Sequence, residues 1–315
     1  MKLFIGVDVS KEVLDIHYNG NTVNVTNNQK GLTRLHTLLK KEVIKGNEIA
    51  MIVCEATGGY ENKLVEFMML NQLPIHRAHA NKIRAYAKYL GKLAKTDKID
   101  AYIIASYAQN ADIEADKPRM EEEKILAGLL KRREQLKADK ARELNRLDKD
   151  LSGTVIKSAK SHIKWLEKEI ANIDKEIKKT LENKELNAKM ELLKSIPSIG
   201  DVTASILIAF LPELGKSDEK RLAALIGVAP FAKESGKYKG TRRIMGGRDI
   251  VRKALYMAAL SSVRHYKEMR EFYLRLTGKG KKCKVALIAV VRKLIKVLSS
   301  VMDRQTPWQE VCPMK

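Results

Sequence analysis

Leu3-Phe4-Ile5-Gly6-Val7-Asp8-Val9 is almost unbroken apolar chain with one carboxylate near its end. A run of that kind is expected of a β-strand buried on both faces. Burying an unpaired charge is costly, so Asp8 needs a hydrogen-bond partner or a cation. Two readings stand: an Asp that caps a turn with Ser10, or a metal-binding carboxylate at the centre of a nuclease-type sheet.

Working outward, residues 13–18 and 22–26 flank Asn19-Gly20, a strong signal for a tight hairpin. Leu32, Leu35, Leu38, Leu39 and Val43 recur at helical spacing in 31–45. A second buried strand over 49–54 runs into Glu55. A helix over about 60–71, a short strand over 74–79 and helices over 81–90 and 97–109 follow. Three strands, helix, strand, helix, strand, helix is the order of the ribonuclease H-like fold, which by itself does not establish a function.

Asp8 lies on the first strand and Glu55 just past the next long one. Asp97 and Asp100 stand three apart near the start of the last helix, hence on one face of it. Complementation of the helix dipole accounts for one of that pair well and both in part. Four carboxylates converging on one point would suit two hard cations, Mg²⁺ or Mn²⁺. Such a pair stabilises the attacking and leaving oxygens of phosphoryl transfer.

The 315 residues carry 60 Lys and Arg against 38 Asp and Glu, a net charge of +22 that favours a polyanion, nucleic acid before acidic lipid. Lys and Arg interrupt even the longest apolar stretch, 285–302, so no membrane span is expected, and the early Asp8 argues against a secretory signal. Cys54, Cys283 and Cys312 are odd in number and far apart, and no histidine pair has zinc spacing. A cytoplasmic protein is the expectation.

The composition shifts after Pro118. Residues 119–194 are rich in Lys, Glu and Leu, with Gly153 as a break. Ile163, Leu166, Ile170, Ile173 and Ile177 repeat at 3, 4, 3, 4, a coiled-coil seam, and Leu144, Leu147 and Leu151 offer a shorter match. The two helices could pair with each other, pair with another subunit, or serve as a spacer. Residues 192–200 precede an apolar helix and are similar to a helix-hairpin-helix, whose turn offers N–H groups to a phosphate. Ser198 stands where that motif has glycine, and a simple turn fits equally.

Between Lys233 and Lys253 lie Lys233, Lys237, Lys239, Arg242, Arg243, Arg248, Arg252 and Lys253 against Glu234 and Asp249, a net of +6. Glycines at 236, 240, 246 and 247 let such a loop approach a DNA backbone. Ser235 lies within it, with no histidine nearby in sequence to act as its base. No persuasive helix-turn-helix is present to read bases.

Gly6-Val7-Asp8-Val9-Ser10-Lys11, EATGGYE at 55–61 and KTDKIDA at 95–101 resemble the catalytic half of the DEDD insertion-sequence transposases, a family that also contains DNA invertases. GVAPFAKESGKYKG at 227–240 and GGRDIVRKALYMAAL at 246–260 resemble its C-terminal half. The resemblance implies a RuvC-like domain over 1–115, a helical coiled-coil connector over 116–190 and a mainly α transposase domain over 191–315. It implies that Asp8, Glu55, Asp97 and Asp100 hold Mg²⁺ or Mn²⁺, two ions, and that Ser235 is the nucleophile that becomes joined to DNA. It further implies guidance by a structured RNA encoded by the element, and a homo-oligomer, dimer or tetramer, in which one subunit's serine meets another's carboxylates. The alternative is a metal-dependent, structure-selective endonuclease of the Holliday-junction resolvase kind, without serine chemistry. An actin-like ATPase would need a second Gly-x-Asp strand that is not evident. Against a nucleic-acid-binding scaffold with a decayed site counts the presence of all four acids.

Overall fold

The computed structural model describes residues 1–92, 97–147, 152–231, 234–235, 238–240 and 242–309; for 97–99, 234–235 and 238–239 it describes the backbone. The chain forms two compact units, Met1–Pro118 and Arg119–Lys315.

The first unit is a five-stranded sheet with helices on both faces. Its elements are β1 (Lys2–Val9), β2 (Val13–Tyr18), β3 (Asn21–Thr26), α1 (Gln29–Ile44), β4 (Glu48–Glu55), α2 (Asn62–Leu70), β5 (Ile75–Ala78), α3 (Ala80–Tyr89) and α4 (Asp97–Asn110). The strand order is β3-β2-β1-β4-β5, with β1 central. β1–β2 and β2–β3 are antiparallel, whereas β1–β4 and β4–β5 are parallel. Asn19 and Gly20 both take positive φ, +48° and +76°, as a two-residue turn matching the right-handed twist of its strands requires.

Strand alternation sorts the residues of β1 between two cores. Ile5, Val7 and Val9 join Ile52, Cys54 and the buried faces of α1 and α2. Phe4 turns the other way, toward a core built from Val53, Ala78 and helices α3 and α4. Gly6 lies on that second face: a Cβ there would stand 2.2 Å from the Ala101 carbonyl oxygen and the Ala105 nitrogen. The helix backbone can approach this closely only because position 6 has no side chain.

The second unit is mainly helical. α5 (Glu121–Leu147) and α6 (Gly153–Leu181) pack against each other as a hairpin. Gly153 opens α6, and the expected seam is found there, with Leu166 and Ile177 buried and Ile163, Ile170 and Ile173 half-buried. Leu144 departs from expectation and is 46% exposed. The inward positions of α5 are Leu136 and Glu143, with Lys140 and Leu147 half-buried, a 4-3-4 spacing that turns Leu144 outward. The buried Glu143 is matched by Arg146 at 2.7 Å and by His162 at 3.1 Å.

The rest comprises α7 (Lys184–Lys194), α8 (Asp201–Phe210), α9 (Glu219–Ile226), β6 (Pro230–Phe231), β7 (Glu234–Ser235), β8 (Tyr238–Lys239), β9 (Arg243–Ile244), α10 (Asp249–His265), α11 (Lys267–Gly278) and α12 (Cys283–Arg304). Its core takes Leu207 from α8, Leu222 from α9, Leu255 from α10, Leu294 and Leu298 from α12, and Leu126 and Leu130 from the start of α5. Among the described residues no helix is long and apolar enough to cross a membrane.

Candidate functional site: an acidic sheet edge and a basic β-hairpin

Asp8 and Glu55 lie side by side. The parallel register pairs Gly6 with Val53 and Val7 with Cys54, so the next position brings Asp8 beside Glu55 at the C-terminal ends of β1 and β4. Alternation places both on the face that Gly6 presents to α4. The direction of α4 follows from its exit: Asp116, six residues past its end, donates its N–H to the Ile75 carbonyl at the start of β5. The helix therefore runs against the parallel strands, and its first turn, with Asp97 and Asp100, lies toward the edge that carries Asp8 and Glu55. Asp100 is half-buried. The side chain of Asp97 lies outside the described residues.

One further acid stands here that sequence reasoning missed. Asp15 pairs directly with Asp8 across the antiparallel β1–β2 ladder, on the same face as His17, whose ring meets Tyr102 of α4 edge-on at 5.2 Å. Among the described residues no three His, Cys, Asp or Glu side chains are brought to metal-binding distance. The oxygen donor set of Asp8, Asp15 and Glu55, joined by the first turn of α4, nonetheless has the chemistry that hard divalent cations take.

The loops around this edge are tied together by buried polar groups. The Asn27 amide donates to the carbonyl oxygens of Ser10, after β1, and Tyr60, after β4, at 2.9 and 3.0 Å. Glu61, only 4% exposed, accepts from the backbone N–H groups of Thr57 and Gly59 at 3.2 and 2.8 Å. Its other oxygen lies 3.5 Å from Arg77. The two glutamates of the EATGGYE segment thus have different positions: Glu55 stands at the edge, while Glu61 shapes the loop behind it. Cys54, on the opposite face from Glu55, is buried, and burial pushes its thiol up to about 12, which makes it inert as a nucleophile.

In the second unit, the basic stretch is a β-hairpin built from two short ladders. β6 pairs with β9 at its base, and β7 pairs with β8 beyond, with Ser235 opposite Tyr238. Sequence reasoning gave a loop here, because ladders of two residues are too short to show alternation. Lys233 and Lys237 fall outside the described residues, as do the side chains of Ser235 and Lys239. Arg242 and Arg243 are exposed.

Arg248, grouped by sequence with the phosphate contacts, instead forks onto Glu213 at 2.5 and 2.6 Å and donates to the Phe210 carbonyl at 3.0 Å. Burial pushes the Glu213 carboxyl up, but the hydrogen bonds and charge of Arg248 outweigh it and hold it below the ordinary carboxylate range. Arg252 donates to the Gly246 carbonyl oxygen and to Asp249. The base of the hairpin is closed backbone to backbone: a Cβ on Gly247, at φ +74°, would stand 2.2 Å from the Gly227 nitrogen. Between α7 and α8, Ser198 takes φ +76°, the left-handed geometry a glycine usually provides in a helix-hairpin-helix turn.

Two family models match the chain: one described as "Transposase", of the DEDD IS110 type, over residues 5–156, and one described as "Transposase IS116/IS110/IS902 family" over 190–274. The chain is 30% identical to the pilin gene-inverting proteins of Moraxella lacunata and Moraxella bovis, in each case over 98% of both chains. It is 28% identical over 139 residues to an uncharacterized protein of insertion element IS116 from Streptomyces clavuligerus, which covers 44% of this chain and 34% of that one. A match along nearly its whole length to the pilin gene-inverting proteins, with a family model on each half, makes this chain a member of the IS110 family of DEDD transposases.

Proposed function

We propose that the protein is the recombinase of an insertion sequence, which cuts and rejoins DNA through a covalent serine–DNA intermediate and is guided by an element-encoded structured RNA. The observation that carries this reading is the sheet edge, where Asp8 and Glu55 stand side by side on the face packed by α4. The strand order β3-β2-β1-β4-β5, three antiparallel strands followed by two parallel ones, supports assigning the first unit to the RuvC-like branch of the ribonuclease H fold. On this reading residues 1–115 are the carboxylate domain, 116–190 the coiled-coil connector and 191–315 the serine domain.

Asp8, Glu55, Asp97 and Asp100 would hold Mg²⁺ or Mn²⁺, two ions, whose chemistry when bound would be to offset the negative charge of phosphoryl transfer. Asn27 and Glu61 hold the loops behind the carboxylates, so the donors are in place before DNA arrives. The Ser235 hydroxyl releases its proton to solvent as Oγ attacks phosphorus. An Oγ–P bond forms, one bridging P–O bond of the strand breaks, and the departing oxygen takes up a proton. Attack by the hydroxyl of another strand reverses the step, rejoins DNA and frees the serine. Lys233, Lys237, Lys239, Arg242 and Arg243 neutralise the phosphates around it. The active form is a homo-oligomer working in the cytoplasm.

The test is strand transfer by the full-length protein with Mg²⁺, with and without the co-expressed RNA. Wild type gives a protein–DNA adduct that survives denaturant and is removed by protease. Ser235→Ala binds DNA but gives no adduct, and Asp8→Asn abolishes Mg²⁺-dependent cleavage with the fold intact. Normal recombination by Ser235→Ala returns the choice to a metal-only resolvase, and activity indifferent to RNA removes the guide.

A further inference from the structure

The α5–α6 hairpin carries a surface that neither the acidic edge nor the basic β-hairpin uses. Thr154, Lys157, Ser158, Ser161, His162 and Trp165 line a shallow depression of about 650 Å³ on the first half of α6. The seam does not need Trp165, because Ala159, Ile163, Leu166 and Ile170 face α5 from the other side of the helix. The indole is left 48% exposed. It is also held in place: its ring stacks on His162, with centroids 5.9 Å apart and planes 28° apart. His162 is anchored in turn by Nδ1 to the buried Glu143 carboxylate at 3.1 Å.

The surroundings identify what such a platform takes. Lys157, Lys164 and Lys168 are exposed on the same side of α6, and among the described residues none of them forms an ion pair. Such a face favours an anionic partner. A protein hot spot would ring the tryptophan with apolar neighbours, whereas serine, threonine and lysine stand here. A preset aromatic face flanked by lysines matches a nucleotide whose base is free to stack and whose phosphates are close by. A duplex hides its base faces.

We propose that this face of α6 binds single-stranded nucleic acid, one unpaired base stacking on Trp165 and the neighbouring phosphates meeting Lys157, Lys164 and Lys168. The proposal does not depend on the serine chemistry above and stands or falls separately from it. The full-length protein is titrated with a single-stranded DNA 12-mer, the RNA of the same sequence and the blunt DNA duplex. Trp165→Ala is expected to weaken single-strand binding about tenfold and to leave duplex affinity within about twofold, while Trp165→Phe, which keeps a stacking ring, retains most of it. Because the chain has two tryptophans, Trp308→Phe isolates Trp165, whose fluorescence is quenched by the single strand and not by the duplex. Lys157→Ala and Lys164→Ala each lower the slope of log affinity against log salt by about 0.7. Quenching by either the DNA or the RNA strand supports the site, and the stronger of the two names its source. Equal loss on single strand and duplex, no quenching, or a change in sedimentation mass of Trp165→Ala without nucleic acid, the mark of a protein interface, overturns it.

Discussion

The sheet edge around Asp8 and the β-hairpin around Ser235 reach order by opposite means. At the edge, acids stand on adjacent strands of one sheet, against a helix whose backbone touches position 6. Asp8 is registered against Asp15 and Glu55 against Ala78 by the ladders of the sheet, so these carboxylates inherit the rigidity of the core. The hairpin is attached to its helical unit at its base, by the closed contact of Gly227 with Gly247 and the fork of Arg248 onto Glu213. Among the described residues its two ladders are each two residues long. On the reading proposed above, a set of metal ligands needs fixed separations, whereas a nucleophile that must reach a strand and later release it needs a firm base and room to move.

The largest effect expected from this difference is at Gly6. Gly6→Val drives a branched side chain into the backbone of α4 and should cost more than about 3 kcal/mol, enough to unfold a marginal domain. Limited proteolysis should then cut within 1–118 while the second unit stays intact. If both units melt together, the contrast between a self-contained sheet unit and a separate helical one is lost.

Next comes the clamp. Glu213→Ala leaves a half-buried guanidinium without its carboxylate, a loss of about 1–2 kcal/mol after allowing for partial exposure. Because the Glu213 pKa lies below its unfolded value, the clamp contributes fully at neutral pH, above the unfolded value, and is lost as pH falls through the folded value. Urea melts of wild type should therefore show an acid limb that Glu213→Ala flattens. An unchanged limb would mean that the hairpin base is held by the glycine contact alone.

A smaller gain is expected at Ser198, where a non-glycine residue takes φ +76°. Ser198→Gly should stabilise the second unit by about 1 kcal/mol, read as a rise in melting temperature. The smallest effect belongs to Leu144, which sequence spacing places in the seam and the structure turns outward. Leu144→Lys should change stability by less than about 0.5 kcal/mol, while Leu136→Lys, at a buried position of the same helix, should open the α5–α6 pairing.

What could be read from the sequence was local. The apolar run of β1, the Asn19-Gly20 turn and the seam of α6 follow from side-chain period and turn chemistry, and the structure has all three. What escaped was set by register, burial and tertiary partners. Asp15 joins Asp8 only through the register between two strands, which alternation within either strand does not determine. Leu144 was misplaced because a search for leucines passes over a seam whose inward positions include Lys140 and Glu143. Arg248 was counted as a phosphate contact by its charge, although Glu213, 35 residues earlier, engages it. Glu61 escaped because it shares a motif with Glu55, and only burial separates the two.

The contact between Gly227 and Gly247 has a consequence for the length of the segment it closes. A segment whose ends already touch has its closure entropy settled by the scaffold, and doubling its length adds only about 0.6 kcal/mol. Added length between those glycines is therefore expected to cost the frame of helices little, because the doorway through which the segment leaves and returns is already shut.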